Sequence, residues 1–377
     1  MDMLTCFGKK LSLILLISLP VTLFAVQAKT KSALIDVKIG VMESLSPTAP
    51  SSSERYKRFL EAAIYYAAGE NEAKLSKCGY RLVPSIYYFD TYDTQELVNA
   101  TKKLEDSNAW VIIGPRRSGH FLTVAKNLNG TPILSTMANA NEIYTLNNTT
   151  FSMYPSASQL AKLLSSNTLH YGNKFATVVD VRCKPCIDFA RAFTDVHSGK
   201  EAFTHEVACN TPDLKTLIQK LKNQPIDFIL LPNYSDLSGF IIAEVHKHYP
   251  NIRFIGGDGW GEDTFSLMQG YGISNSAEGL AIRAGIQKTD KSKNFKVYSL
   301  DREINQEVVT PPNSIFAVVS TIRILTNDLC EAKAENKERF TKFLSSKPKT
   351  HFQTDAKYSL YQLADGKLTF AKYVDSK

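Results

Sequence analysis

Short apolar segments alternate with amphipathic segments along most of the chain. Residues 110–113 are a brief apolar run, and residues 35–41 and 175–181 are short, mostly apolar segments, which is typical of strands. Residues 94–104 and 214–221 carry apolar side chains three or four positions apart, which predicts helices with one buried face. Strands that alternate with such helices indicate parallel sheets covered on both faces.

The alternation runs through the chain twice. The first round ends near Ile133, the second begins near Gln159, and the irregular, polar residues 135–156 lie between them. We therefore expect an α/β protein with two doubly wound lobes of parallel sheet, joined by a hinge that the chain crosses several times. The predicted boundaries are lobe 1 at 29–136, a hinge crossing at 137–158, lobe 2 at 159–280 with a loop at 256–260, a return crossing at 281–310, and a second part of lobe 1 at 311–377 that ends in a hairpin.

The first 28 residues have a different character. Lys9 and Lys10 precede an apolar stretch, and Ala28 supplies a small residue where cleavage would occur. This order predicts a secretory signal peptide, with an uncleaved membrane anchor as the alternative. Removing 28 of the 377 residues leaves 349, which suits two domains.

Composition excludes several classes of protein. At 44% hydrophobic and 21% charged residues, the sequence is neither disordered nor fibrous. The net charge of +7 is scattered, without a basic run interleaved with aromatic residues, so nucleic-acid binding is not expected. After the signal peptide, the sequence contains no continuous apolar stretch of the length that a membrane span needs.

Five cysteines follow the signal peptide, and an exported chain favours disulfides. We expect Cys209 to pair with Cys183 or Cys186, and a second bridge to join Cys78 to Cys330, which leaves one thiol. Cys183 and Cys186 also have the spacing of a redox or zinc motif, but no further zinc ligands stand nearby, so no metal is expected.

The sequence lacks the local signatures of common catalytic sites. It has no G-x-S-x-G elbow, no G-x-x-x-x-G-K-[ST] phosphate loop and no H-E-x-x-H zinc pair. We therefore expect a protein that is not an enzyme and needs no cofactor.

Three polar loops follow predicted strands, where open α/β sheets bind ligands. In residues 114–119, Ser118 is predicted to cap a helix and offer its hydroxyl beside free N–H groups, an arrangement that holds a carboxylate. Residues 135–140 are small and polar. In residues 257–260, glycines flank Asp258 and would let its carboxylate approach an ammonium group, with Trp260 nearby.

These loops, in this order, resemble the branched-chain amino-acid type of periplasmic binding protein, the solute-binding component of ABC transporters. The matching segments are WVIIGPRRSGHFLTVAKNLNGTPILSTMANANEI, FSMYPSASQ, IRFIGGDGW and YSLYQLADGKL, with the first the most specific. The resemblance covers nearly all of the chain after the signal peptide. It implies two α/β lobes, joined by three crossings, that close on a ligand.

The resemblance also implies roles for individual residues. Ser118 would meet the ligand carboxylate, Ala138 and Asn139 would hold the ligand's backbone by main chain and side chain, and Asp258 would pair with its ammonium group. Asn233 or Tyr234 would supply a further cleft contact.

The chain departs from the family pattern at several positions. Asn139 stands where threonine or serine is usual, and residues 182–186 replace a stretch that normally carries a tyrosine contact. Arg116 and Arg117 are bulky and cationic where small residues are common. Arg117 is a candidate ligand contact, because an arginine pointing into the cleft would favour a more acidic ligand. The alternative is that both arginines lie solvated on the lobe surface.

The resemblance implies a periplasmic protein that binds a small molecule, an amino acid or a related compound, and delivers it to the permease of an ABC importer. The alternative is the same fold acting as a periplasmic sensor or interaction domain.

Overall fold

Two separate sheets organise the part of the chain that the structure describes. The structure, a computed structural model, describes residues 33–47, 50–90, 93–208, 213–260, 277–286, 313–353, 356–364 and 367–374. The predicted signal peptide, Cys209 and most of the predicted return crossing lie outside these residues. Leu34–Lys377 forms one compact unit. Among the described helices, none is both long enough and apolar enough to span a membrane.

The first sheet is parallel throughout, and we call it, with its helices, lobe 1. Its strand order is β2-β1-β3-β4-β5. The strands are β1 (Ile35–Leu45), β2 (Tyr80–Asp90), β3 (Val111–Ile113), β4 (Ile133–Ser135) and β5 (Thr150–Ser152), and the helices are α1 (Pro50–Cys78), α2 (Thr94–Asp106), α3 (Ser118–Asn127), α8 (Asn313–Ala332) and α9 (Lys337–Ser345).

The second sheet is mixed, and we call it, with its helices, lobe 2. Its order is β12-β11-β10-β9-β8-β6-β7, parallel from β7 to β10 and antiparallel from β10 to β12. The strands are β6 (Phe175–Asp180), β7 (Glu201–Val207), β8 (Phe228–Leu231), β9 (Arg253–Gly256), β10 (Gly279–Ile286), β11 (Ala356–Ala364) and β12 (Lys367–Val374), and the helices are α4 (Ala157–Ser165), α5 (Lys184–Val196), α6 (Leu214–Asn223) and α7 (Ser235–His248).

Helices cover both faces of each sheet, and the central strands are buried, as their apolar residues predict. In lobe 1, one apolar core joins β1 to α1, α8 and α9, and a second packs α2 and α3 against the opposite face. In lobe 2, α4 and α5 cover one face, while α6 and α7 cover the other. All residues of β6 and β8 are buried, which explains why these strands are continuous apolar runs rather than alternating ones. The predicted doubly wound α/β architecture is therefore confirmed.

Between the elements that the structure describes, the chain changes lobe at three places. The first is after β5, the second lies between β10 and α8, and the third lies between the 3-10 turn His351–Gln353 and β11. The first crossing is narrower than the predicted 137–158, because Thr150–Ser152 pair with β4 and keep the chain in lobe 1. Residues 281–286, predicted as part of the return crossing, belong to strand β10.

The predicted return of the closing hairpin to lobe 1 is wrong. The hairpin β11–β12 extends the second sheet, since β11 pairs with β10 along all of Gly279–Ile286. By contrast, helix α8 does return to lobe 1, where it packs against α1. The predicted segment 311–377 is thus divided between the two lobes.

Two disulfides lie among the described residues. Cys78 at the end of α1 is bonded to Cys330 in α8, the pair named from the sequence. Cys183 is bonded to Cys186, with Cα atoms 5.2 Å apart, so neither is bonded to Cys209. The expected bridge to Cys209 is therefore wrong, because the two neighbouring cysteines stand within bonding reach of each other at the start of α5.

Candidate functional site

The lobe 1 wall of the candidate site is built from the loops that follow β3 and β4. Ser118 is the first residue of α3 rather than its cap, and the cap position belongs to Arg117. The Ser118 hydroxyl oxygen accepts the N–H groups of Asn139 at 3.0 Å and Ala140 at 3.2 Å. Instead of capping its own helix, Ser118 fixes the neighbouring loop. Among the described residues, its hydroxyl only accepts hydrogen bonds, so its proton can donate to a ligand.

Serines at the ends of β4 and β5 position Ala138. The N–H of Ala138 donates to Ser135 Oγ at 2.8 Å, and its carbonyl accepts the hydroxyl of Ser152 at 2.6 Å. Both main-chain groups of Ala138 therefore have partners within the protein. The Ala138 N–H is therefore already used, whereas its carbonyl can accept a second hydrogen bond, so a contact between the carbonyl and a ligand stays a prediction.

Asn139 and Asp258 meet where the carboxyl ends of the two sheets face each other. Asn139 Nδ2 donates to Asp258 Oδ2 at 3.0 Å, and the Asn139 carbonyl accepts the N–H of Ala157 in α4 at 2.8 Å. Asn139 is buried, and Asp258 is partly buried in the turn after β9. The two residues named for opposite walls are thus adjacent across the lobes.

The surroundings of Asp258 favour its neutral form. Burial raises the pKa of the Asp258 carboxyl to about 6, while its own backbone N–H, Arg283 and Asn139 act in the opposite direction. Asp258 is therefore still largely ionised at neutral pH. Its charge is held in a place where a ligand cation would be strongly attracted.

Asn233 and Tyr234 differ in whether a ligand could contact their side chains. Asn233 is buried, its Oδ1 accepts the N–H of Asp180 at 2.8 Å, and its Nδ2 donates to the carbonyl of Val178 at 2.8 Å. The side chain is occupied in joining β8 to β6, which argues against the predicted ligand contact. Tyr234 caps α7 by position and is 48% exposed, so it is the one of the pair that a ligand can reach.

The two arginines before Ser118 also differ in their burial and their partners. Arg116 stacks on the ring of Tyr56, 4.1 Å from its centroid, with Nε 3.9 Å from Oε1 of the buried Glu43. Burial opposes the charge of Arg116, but Glu43 and Tyr56 outweigh it and raise the pKa of the guanidinium. Arg117 is exposed. Arg116 is therefore a partly buried, paired residue of lobe 1, whereas Arg117 is exposed and its expected contact with a ligand stays a prediction.

Trp260 does not line the site. It is fully buried against Gly256, and its Nε1 donates to the carbonyl of Leu231 at 3.0 Å. The glycine at 256 provides the space for the indole ring. The aromatic expected beside Asp258 is thus a core residue of lobe 2.

A second contact between the lobes was not visible in the sequence. The N–H of Asn141 in lobe 1 donates to Oδ2 of the buried Asp188 in α5 at 2.9 Å, and Asn141 Nδ2 donates to Ser158 Oγ at 2.6 Å. No motif marks these residues, because the contact depends on how the lobes approach each other. No cluster of three or more potential metal ligands occurs within the described part of the chain.

The architecture is that of type I periplasmic binding proteins. The chain resembles the substrate-binding protein LivJ of a Streptococcus pneumoniae branched-chain amino acid transporter, solved with isoleucine, at 18% identity and a TM-score of 0.68, over 89% of this chain and 99% of that one. It also resembles the leucine-binding protein LivK of Thermotoga maritima at 14% identity and a TM-score of 0.67, over 90% and 99% of the two chains.

A third similar structure holds another kind of ligand. It is a solute-binding protein of an R. palustris ABC transporter in complex with benzoate, at 14% identity and a TM-score of 0.65, over 91% of this chain and 98% of that one. By sequence, no family model and no curated protein matches the chain. The similarity therefore defines the fold.

Proposed function

We propose that the protein is a periplasmic solute-binding protein that takes a small polar ligand between its lobes and delivers it to an ABC importer. The observation that carries the proposal is the hydrogen bond between Asn139 and Asp258, which brings together the carboxyl ends of the two sheets. In open α/β sheets this is the edge where ligands bind. Solute-binding proteins of the same fold support binding rather than catalysis.

The ligand is an amino acid or a related compound. Ser118 retains a hydroxyl proton that can donate to a carboxylate, while Asp258 offers a charge to an ammonium group. The exposed Tyr234 supplies a ring at the lobe 2 wall. Binding proceeds by hinge closure, in which the ligand favours the closed arrangement by contacting both walls.

A thermal-shift panel tests binding with the purified protein. The panel contains leucine, isoleucine, glutamate, glutamine, succinate and benzoate. A ligand at 100 times its Kd stabilises the folded protein by about 2.7 kcal/mol, which is readily detected. A shift with one or more amino acids supports the proposal, and the absence of any shift across the panel contradicts it.

Substitution of Asp258 then tests whether the lobe 2 wall binds the ligand's ammonium group. Asp258→Asn keeps the shape of the side chain and removes its charge, so it should abolish binding of amino acids, measured by titration calorimetry. Asp236→Asn is the matched control, since Asp236 is an exposed carboxylate in the first turn of α7. Unchanged amino-acid affinity in the Asp258 variant would exclude this residue as the ammonium partner.

Transport and sensing are separated in cells. Deleting the gene should abolish uptake of the labelled ligand, and the tagged protein should fractionate with the periplasm. Ligand binding with unchanged uptake would instead favour the sensor hypothesis.

A further inference from the structure

Tyr154 is held at both ends in the first crossing between the lobes. Its backbone carbonyl accepts Gln353 Nε2 at 3.0 Å and also the hydroxyl of Tyr144. Its own hydroxyl oxygen accepts the N–H of Ala284 in β10 at 3.1 Å. Gln353 lies at the third crossing, and β10 is the last described element before the second. A single buried residue of the first crossing is thus bonded both to the third crossing and to β10, the strand that precedes the second.

The bond to Ala284 lies where β10 loses a strand partner. Strand β9 pairs with β10 only as far as Ala281, because the chain turns after Gly256 into the loop that carries Asp258. Beyond Ala281, the described residues provide no strand along the edge of β10 that faces away from β11. The Tyr154 hydroxyl accepts a backbone N–H there, so it substitutes for the missing strand.

Tyr154 is also close to the candidate site. Burial, and secondarily the carboxylate of Asp258, raise the pKa of the Tyr154 hydroxyl. The hydroxyl therefore stays protonated in the physiological range. Since a tyrosine hydroxyl both accepts and donates, Tyr154 can hold the Ala284 N–H without becoming charged.

We propose that Tyr154 is the positioning residue of the hinge: its side chain packs in lobe 2, where its hydroxyl holds β10, and its carbonyl is held by Tyr144 and Gln353, so that the Asp258 loop is placed to meet Asn139. The proposal deepens the proposed function and rests on it, since the hinge position affects binding only if the ligand lies between the lobes. Tyr154 acts on the ligand site through Asp258 and through the approach of the lobes.

Backbone hydrogen exchange of the purified, ligand-free protein tests the proposal, comparing wild type with Tyr154→Phe. Exchange is followed at three backbone amides. Ala284 donates to the Tyr154 hydroxyl, Asn141 donates across the lobes to Asp188, and Ile229 lies in the core of lobe 2. Loss of the hydroxyl should speed exchange at Ala284 and at Asn141 about fivefold or more, the factor that corresponds to one hydrogen bond. Exchange at Ile229 should stay within about twofold of wild type.

Each other pattern contradicts the proposal. Faster exchange at Ala284 alone means that the bond is local and does not set the approach of the lobes. Equal acceleration at all three amides means a general loss of stability, and no acceleration means that the hydroxyl is dispensable. Tyr65→Phe is the matched control, because Tyr65 is an exposed tyrosine of α1, and it should change none of the three amides.

A second variant covers the case in which Tyr154→Phe does not fold. Gln353→Met leaves the tyrosine intact and removes the bond to its carbonyl from the third crossing. It should speed exchange at Asn141, and wild-type exchange there would overturn the proposal. These measurements need no ligand, so their outcome is independent of the ligand panel. Where an amino acid of the panel binds, Tyr154→Phe should weaken its affinity about fivefold or more, with faster dissociation.

Discussion

The carboxamide of Asn233 accepts the backbone N–H of Asp180 at 2.8 Å, which fixes the end of β8 to the end of β6. Its Nδ2 donates to Val178 from the same position. Asn233→Ala would leave both buried backbone groups without these partners. We expect the free energy of unfolding to fall by about 2–4 kcal/mol, measured by urea unfolding. Tyr234→Ala, at an exposed neighbour, should change it by less than about 1 kcal/mol, and similar losses in the two variants would contradict the assignment.

Ser118 should contribute to both stability and binding. Ser118→Ala removes the oxygen that accepts two N–H groups from the loop at Asn139. We expect a loss of about 1–3 kcal/mol in the free energy of unfolding and weaker ligand binding, because the loop carries Asn139. Ser166→Ala, which removes an exposed hydroxyl at the end of α4, should have little effect on either. Full affinity in the Ser118 variant would show that the loop does not depend on this bond.

The raised pKa of Asp258 predicts how stability depends on pH. Its carboxyl has a pKa of about 6 in the folded chain, against 3.8 for an ordinary aspartate, so the folded protein holds a proton that the unfolded chain has lost between these values. The contribution of this group is therefore most favourable below about pH 4 and is lost as the pH rises through about 6, by at most about 3 kcal/mol. The difference in unfolding free energy between wild type and Asp258→Asn should follow this course. A flat difference across that range would contradict it.

The same ionisation should govern the binding of amino acids. An ammonium group pairs with the ionised carboxylate, which is about one tenth populated at pH 5 and nine tenths at pH 7 for a pKa of about 6. We expect the affinity for an amino acid to rise severalfold over this range in titration calorimetry. A benzoate-like ligand without an ammonium group should not show this rise. Equal pH dependence for both kinds of ligand would count against Asp258 as the ammonium partner.

The two disulfides should differ in their effect on stability. Cys78 and Cys330 are 252 residues apart, whereas Cys183 and Cys186 are three apart. Loop-closure entropy then gives about 5 kcal/mol for the long bridge and about 2 kcal/mol for the short one. Paired serine variants, compared by chemical unfolding, should show the larger loss for Cys78 and Cys330. The opposite order would mean that the short bridge acts mainly on the native state.

The fold was predictable because both lobes follow local rules. The alternation of apolar strands and amphipathic helices locates β1, β3 and β6, and also α2 and α6. The errors concern pairing over long distances. The three residues of β5 are too short to show a period, and the choice of sheet by the closing hairpin depends on the open edge of β10.

The position of the candidate site was easier to predict than the use of each side chain. Strand ends locate the loops that carry Ser118, Asn139 and Asp258, whereas the roles of these residues came from the family resemblance. Whether Asn233 faces a ligand or β6 depends on the distance between two strands, which a single sequence does not encode in any local pattern. The hydrogen bonds of Tyr154 were likewise not predicted from the sequence, because its partners Ala284 and Gln353 lie far away along the chain.

The bond between Cys78 and Cys330 closes the segment between these two residues into a covalent ring. That segment contains β2 to β5 of lobe 1 and lobe 2 up to β10. A single proteolytic cut anywhere within the ring therefore releases no fragment until the bridge is reduced. A protein nicked in this way would migrate as one molecule on a non-reducing gel and as two fragments after reduction.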